Sequence, residues 1–222
     1  MIYKNKIICG DSISIMKEMP DNLFDTIYTD PVWPDNKVAE FTDIDPFKLF
    51  AAAAVEFPRL AKRVLIHLGC DSDPRILAAI PKQLPFFRTV SLRYAFPHFK
   101  GRVLYDRDIV YAFGPPPPSR LLNHAICGEF FNTDIGESRH GHPCPRRLSH
   151  VHWLLSRYAN GSVFDPFAGV CTTAVACVEL DIPYCCIEIN EKSCETGRRR
   201  VINRLKAGIQ LSVFEEGLHH EN

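Results

Sequence analysis

The 222-residue chain is 46% hydrophobic and 23% charged, with 26 Lys and Arg against 26 Asp and Glu. These proportions fit one globular domain over 1–208 with a C-terminal tail over 209–222. Zero net charge excludes attachment to a polyanion by an overall positive field, so any nucleic-acid contact is expected from a local patch. The longest wholly apolar run, Leu49 to Val55, is far shorter than the roughly 20 residues of a membrane helix. The N-terminus carries no signal-peptide core, so a cytoplasmic protein without a membrane partner is expected.

Nine cysteines, an odd number with Cys185 and Cys186 adjacent in an apolar stretch, read as reduced, buried thiols. The tightest metal-ligand cluster, His140, His142, Cys144, His150 and His152, lacks zinc-finger spacing, so no metal site is assigned.

In chain order, Lys6–Cys9 reads as a strand and Ser12–Glu18 as a helix stopping near Pro20. Phe24–Thr29 is a second strand ending at Asp30-Pro31. Pro34 to Asp45 is polar and patternless, Pro46 to Ala61 reads as a buried helix, Val64–Leu68 as a strand and Pro74 to Gln83 as a helix. Thr89–Phe96 and Asp108–Phe113 predict an antiparallel edge pair joined by a Gly-Arg turn. Pro115 to Pro118 open a long loop reaching Arg139. Beyond it, Leu148, Val151, His152, Leu155 and Tyr158 recur at helical spacing, with Asn160-Gly161 as the stop. Ser162–Phe164 is a strand, Thr172–Leu180 a helix, Tyr184–Ile189 a strand and Glu191 to about Ala207 a last helix, followed by a frayed tail. Strands alternating with helices predict an α/β fold with a mostly parallel sheet.

Two segments share one construction, an apolar strand running into Asp-Pro: Phe24 to Pro34 and Ser162 to Thr173. Ligands in open parallel sheets bind beyond the carboxyl ends of the strands, so Asp30 and Asp165, 135 positions apart, are expected to face one crevice. Gly169 permits close backbone approach, and Thr172 and Thr173 stand at a helix start with free amides. Glu188, 23 positions after Asp165, is placed to accept hydrogen bonds from a ribose diol. A nucleoside-containing cofactor follows, and the absence of a G-x-x-x-x-G-K-[ST] loop argues against ATP. In the first segment Asp30 and the Pro31 carbonyl are acceptors for an exocyclic amine, and Trp33 is a flat face for a base.

These blocks, GDSISIMKEMPDNLFDTIYTDPVW, then RYAF and GRVLYDRDIVYAFG, then HPCPRRLSHVHWLLSRYANGSVFDPFAGVCTTAVACVELDIPYCCIEIN, resemble a DNA amino-methyltransferase of the permuted β order, from about Gly10 to Arg200. In that family the catalytic Asp-Pro-Pro-aromatic motif precedes the S-adenosylmethionine motif. The resemblance implies a Rossmann-like methyltransferase fold, S-adenosylmethionine as cofactor and DNA as partner, and leaves a homodimer open. It implies that Asp30, Pro31 and Trp33 hold the target amine. Asp11, Ser12, Asp30, Asp165, Phe167, Gly169, Thr172 and Glu188 would then surround the cofactor. Asp rather than Ser at position 30 leans toward adenine N6 over cytosine N4, as in a restriction-modification enzyme.

Three departures stand out: Val32 replaces the second Pro, Cys171 replaces the second Gly of A-G-x-G, and the family's H-P-x-Q-K-P reads His142-Pro143-Cys144-Pro145-Arg146-Arg147. A Cβ at 171 would crowd the cofactor if the backbone there needs positive φ. A catalytically silent DNA-binding subunit is therefore the alternative to an active enzyme. The loops 34–45 and 115–139 are the expected target-recognition elements. Among the basic clusters, Arg139, Arg146 and Arg147 adjoin the crevice and are assigned to the DNA backbone, while Arg198 to Arg200 read as a solvated helix face.

Overall fold

A computed structural model describes residues 2–34, 44–69, 72–100, 102–117, 127–128 and 146–219. The loops assigned to target recognition lie largely outside these residues, as do Arg139, His140, His142 and Cys144.

Among the described residues eight strands form one sheet: β1 (Lys6–Cys9), β2 (Phe24–Thr29), β3 (Ala61–Leu68), β4 (Phe86–Lys100), β5 (Val103–Phe113), β6 (Cys127–Gly128), β7 (Val163–Asp165) and β8 (Tyr184–Glu188). Their order across the sheet is β1-β8-β7-β2-β3-β5-β4-β6. β5 pairs antiparallel with both neighbours, and every other pairing is parallel. From β2 the chain builds outward to β3, whereas from β7 it builds outward to β8 on the opposite side. The β2/β7 boundary is thus the topological switch point, beyond whose strand ends open parallel sheets bind their ligands.

Residues alternating along each strand face two separate cores. Ile27, Val64, Ile66 and Leu68 pack beneath α1 (Ser12–Glu18), α2 (Pro46–Ala54) and α3 (Phe57–Leu60), meeting Met16, Phe50, Phe57 and Leu60. Tyr28, Leu65, Val110 and Ala112 face the other side, against Val151, Leu154 and Leu155 of α4 (Leu148–Tyr158) and Ala174 and Val175 of α5 (Thr172–Glu179). Parallel rings of Phe24 and Phe164, with centroids 4.7 Å apart, tie β2 to β7 below the crevice.

Several elements differ from the sequence reading, each for a local reason. The helix expected over Pro46 to Ala61 breaks at Val55-Glu56, because Pro58 lacks an amide and its ring cannot follow a helical carbonyl. Pro74 to Gln83 shrinks to a 3₁₀ helix, Pro74–Ala79, which Pro81 prevents from continuing. The edge pair is longer than its β-rich cores, and β6 adds a further strand outside β4. On α4 the buried histidine is His150, while the side chain of His152 is 39% exposed beside Glu179. The last helix, α6 (Glu191–His219), continues through the segment read as frayed, since no proline interrupts it. Among the described residues, Cys9, Cys171, Cys177, Cys185, Cys186 and Cys194 are free thiols. Among the described residues no helix is long and apolar enough to cross a membrane.

Candidate active site

Asp30 follows the last residue of β2 and Asp165 ends β7, so the two acids separated by 135 positions meet at the switch point. Asp165 is 3% exposed; its Oδ1 accepts the Phe167 amide at 3.1 Å, and its Oδ2 accepts the Thr173 hydroxyl. Burial pushes its carboxyl up to about 7, against the hydrogen bonds from Thr173 and Phe167, and the negative charges of Asp30 and Glu188 add to the rise.

Glu188 ends β8. Its Oε2 accepts the Gly169 amide and its Oε1 the Asn190 amide, each at 2.8 Å. A carboxylate offers about four acceptor sites, so two stay open among the described residues. Gly10 donates to the Glu188 carbonyl at 2.9 Å, bringing Asp11 and buried Ser12 alongside. Asp11 caps α1 by accepting from the Ser14 amide at 2.8 Å.

The loop between β7 and α5 turns through Gly169 at φ +52° and Cys171 at φ +58°. Cys171 thus takes the left-handed conformation that favours glycine, at the position where the sequence reading expects one. Its thiol nevertheless has a place: a Cβ on Gly197 of α6 would lie 2.5 Å from Cys171 Sγ and 2.7 Å from its Cβ. The missing side chain at 197 houses the extra one at 171. The helix N-cap is Cys171 rather than either threonine, without a side-chain capping bond. Thr172, assigned to the cofactor from sequence, accepts Arg200 Nη1 at 3.0 Å, and the same nitrogen bonds the Val170 carbonyl at 2.7 Å. Thr173 is the hydroxyl that reaches Asp165.

Asp30 sits in a network that the sequence did not reveal. Arg146 Nε donates to its Oδ2 at 2.6 Å and Nη2 to its Oδ1 at 2.9 Å, while Trp33 Nε1 also donates to Oδ1, at 2.8 Å. The guanidinium lies over the Trp33 ring, 4.1 Å from its centroid, and Nη1 reaches Asp108 Oδ2 at 3.1 Å. Trp33 is seated by Gly69, where a Cβ would lie 2.2 Å from the ring. Asp108, on β5 and 3% exposed, also accepts from Tyr94 Oη and from His67 Nε2, the latter at 3.1 Å. His67 Nδ1 meets Tyr28 Oη at 2.8 Å. Burial opposes ionisation of Asp108, but the His67 hydrogen bond and the Arg146 charge, with His67 and Tyr94 adding, hold its carboxyl well below the usual range.

Arg146, read as a phosphate contact, thus lies on Asp30 with its side chain 11% exposed. Arg147 is half-buried at the N-cap of α4, and Arg139 falls outside the described residues. Other arginines bond main-chain carbonyls, Arg63 from a buried position and Arg198 from an exposed one. Arg59 holds the Met16 carbonyl at 2.6 Å and Glu56 at 2.7 Å, and Arg63 holds the carbonyls of Pro115, Pro116 and Tyr158. Arg198 bonds the Ile7 carbonyl at 3.1 Å. One signal for the hidden network was available: His67 interrupts the apolar run Val64-Leu65-Ile66-His67-Leu68.

Residues 120–199 match a family model described as DNA methylase. The type II methyltransferase M.SmaI of Serratia marcescens is 34% identical over 117 residues, which cover 52% of this chain but 40% of that protein. The chain thus aligns with less than half the length of that curated relative. Among solved structures, M1.HpyAVI in complex with S-adenosylmethionine superposes with a TM-score of 0.63 at 20% identity, covering 88% of this chain and 98% of that one. The cytosine-N4-specific PvuII DNA methyltransferase reaches a TM-score of 0.70 at 11% identity, covering 88% and 85%. The fold is that of the DNA methyltransferases. Within it, the ends of β2 and β7 carry Asp30 and Asp165 to one edge, as the paired Asp-Pro segments predict, and β8 ends beside them at Glu188.

Proposed function

We propose that this protein transfers a methyl group from S-adenosylmethionine to the exocyclic N6 of adenine in DNA. The observation that carries the reading is the Asp30 carboxylate at the switch point: among the described residues three donors occupy it, and about one acceptor site stays open on Oδ2 for an amine N–H. The matched DNA methylase family over 120–199 supports the reaction class.

The residues fit the cofactor. Glu188 keeps two acceptor sites for the two hydroxyls of a ribose, Asp11 and Ser12 stand beside it for the adenine, and Phe167, Gly169 and Asp165 line the turn between them. Thr172 contributes through its place at the start of α5. Bound S-adenosylmethionine supplies a methyl group on a cationic sulfur, an excellent leaving group, so the protein's task is orientation. Asp30 accepts an amine hydrogen and aims the nitrogen lone pair, the Pro31 carbonyl accepts a second, and Trp33 flanks the extruded base. Arg139 and Arg147 are assigned to the DNA backbone.

Methylation of cytosine N4 is the second reading, favoured by the likeness to the PvuII enzyme. Incubating DNA with tritiated S-adenosylmethionine and identifying the product nucleoside by mass spectrometry separates the two. N6-methyladenine is expected, lost in Asp30→Ala. N4-methylcytosine would replace the adenine assignment, and label no greater than in Asp30→Ala would make the chain the silent subunit.

A further inference from the structure

We infer that Asp108 is a positioning residue that sets the Asp30 carboxylate through Arg146. The inference rests on the proposed methyl transfer and concerns residues outside both Asp-Pro segments. Arg146 is planar, so one group bonded to two carboxylates fixes them relative to each other. Its Nε and Nη2 edge takes Asp30 and its Nη1 takes Asp108. Asp108 cannot follow a movement of Arg146, because it is buried and held from β3 by His67 and from β4 by Tyr94.

The network also closes on itself. Tyr28 bonds His67, His67 bonds Asp108, Arg146 joins Asp108 to Asp30, and Asp30 is two residues from Tyr28 along the same chain. A closed ring of this kind holds every member in one arrangement.

The consequence lies in the acceptor count. With Trp33 and Arg146 Nη2 on Oδ1 and Arg146 Nε on Oδ2, the position left for the substrate amine depends on where the guanidinium lies. Without the Asp108 bond the guanidinium loses one of the contacts that set its plane, and that plane can turn over Asp30 toward the remaining Oδ2 site. A lysine at 146 keeps the charge but cannot span both acids with a fixed plane.

A role confined to holding the fold together would leave turnover intact in any variant that folds. The test measures methyl transfer, cofactor affinity by calorimetry and thermal melting for the full chain. Asp108→Asn and Arg146→Lys should each lower kcat by about tenfold or more, with cofactor affinity and the KM for DNA within about threefold of wild type. Arg146→Ala should regain part of its rate with millimolar guanidinium chloride and none with equal sodium chloride. In a Trp153→Phe background, Asp108→Asn should shift the emission of Trp33, because the cation leaves its ring. Should Asp108→Asn fail to fold, Arg146→Lys and the guanidinium rescue decide. Wild-type kcat in Arg146→Lys, or no rescue of Arg146→Ala, overturns the inference while leaving the methyltransferase reading standing. A wild type that binds cofactor but transfers nothing to DNA overturns both.

Discussion

Asp165 is a carboxyl whose charge depends on physiological pH. Burial raises its pKa to about 7 in the folded protein, above the ordinary value of 3.8. The protonated form is therefore favoured by folding. Its stabilising contribution is complete below pH 4 and is lost as pH rises through 7. A cationic cofactor reverses this preference, since it is attracted to the ionised form. Affinity for S-adenosylmethionine should rise between pH 6 and pH 8, and Asp165→Asn should flatten that rise, as calorimetry at three pH values would show. A wild-type affinity independent of pH would refute it. Cys171 and Gly197 make a second prediction. Gly197→Ala should destabilise by about 1–3 kcal/mol through overpacking, and adding Cys171→Gly should recover most of that loss, because the new methyl fills the space the thiol vacates. Urea unfolding of the double-mutant cycle checks it, and simple additivity would deny the coupling. The sequence pointed to position 171 through the glycine expected there, but the left-handed backbone and the compensating glycine, 26 residues away on another helix, came only with the structure. Contacts of that kind leave no periodic trace. The same holds for Arg146: its charge was legible, whereas its partner Asp108 became visible only when β5 was placed beside β3.

At the scale of elements, the strands bearing chemistry were the most legible. Lys6–Cys9 and Phe24–Thr29 match β1 and β2 because apolar β-formers end abruptly at Gly10-Asp11 and Asp30-Pro31. Elements punctuated by proline were less so: Pro58 and Pro81 cut helices whose apolar spacing continues across them. Arg63 shows why a basic cluster in sequence need not be a surface. It is buried on β3 and joins that strand to the end of α4 and to the first two of four consecutive prolines. Burial lowers its pKa from the usual guanidinium range, opposed by the charge of Asp25. Arg63→Ala leaves three carbonyls without their donor and should cost about 2–4 kcal/mol in chemical denaturation. Its cofactor affinity at low denaturant should stay near wild type. A loss below 1 kcal/mol would mean that water replaces the guanidinium.

For the molecule as a whole, equal numbers of acidic and basic residues place any attraction for DNA in a few local contacts. Each phosphate contact contributes about 0.9 to the slope of log affinity against log salt. Arg147→Ala should therefore lower the magnitude of that slope by about one, while Arg198→Ala, whose guanidinium caps the Ile7 carbonyl, should leave it unchanged and lower the melting temperature. A slope unmoved by Arg147→Ala would remove that residue from the interface. The sheet order has another consequence, for the chain as it is made. Lys6 pairs with Cys185 and Thr26 with Val163, so β1 and one edge of β2 wait for partners that the ribosome has not yet produced. At about 5–20 residues per second the delay for β1 is roughly 10–35 s. During that interval the nascent protein has the strand that leads into Asp30 but not the strands that carry Asp165 and Glu188, and it exposes unpaired backbone on both early strands. Synthesis speed, and any chaperone that shields those edges, would then govern how much of the translated chain reaches the folded state.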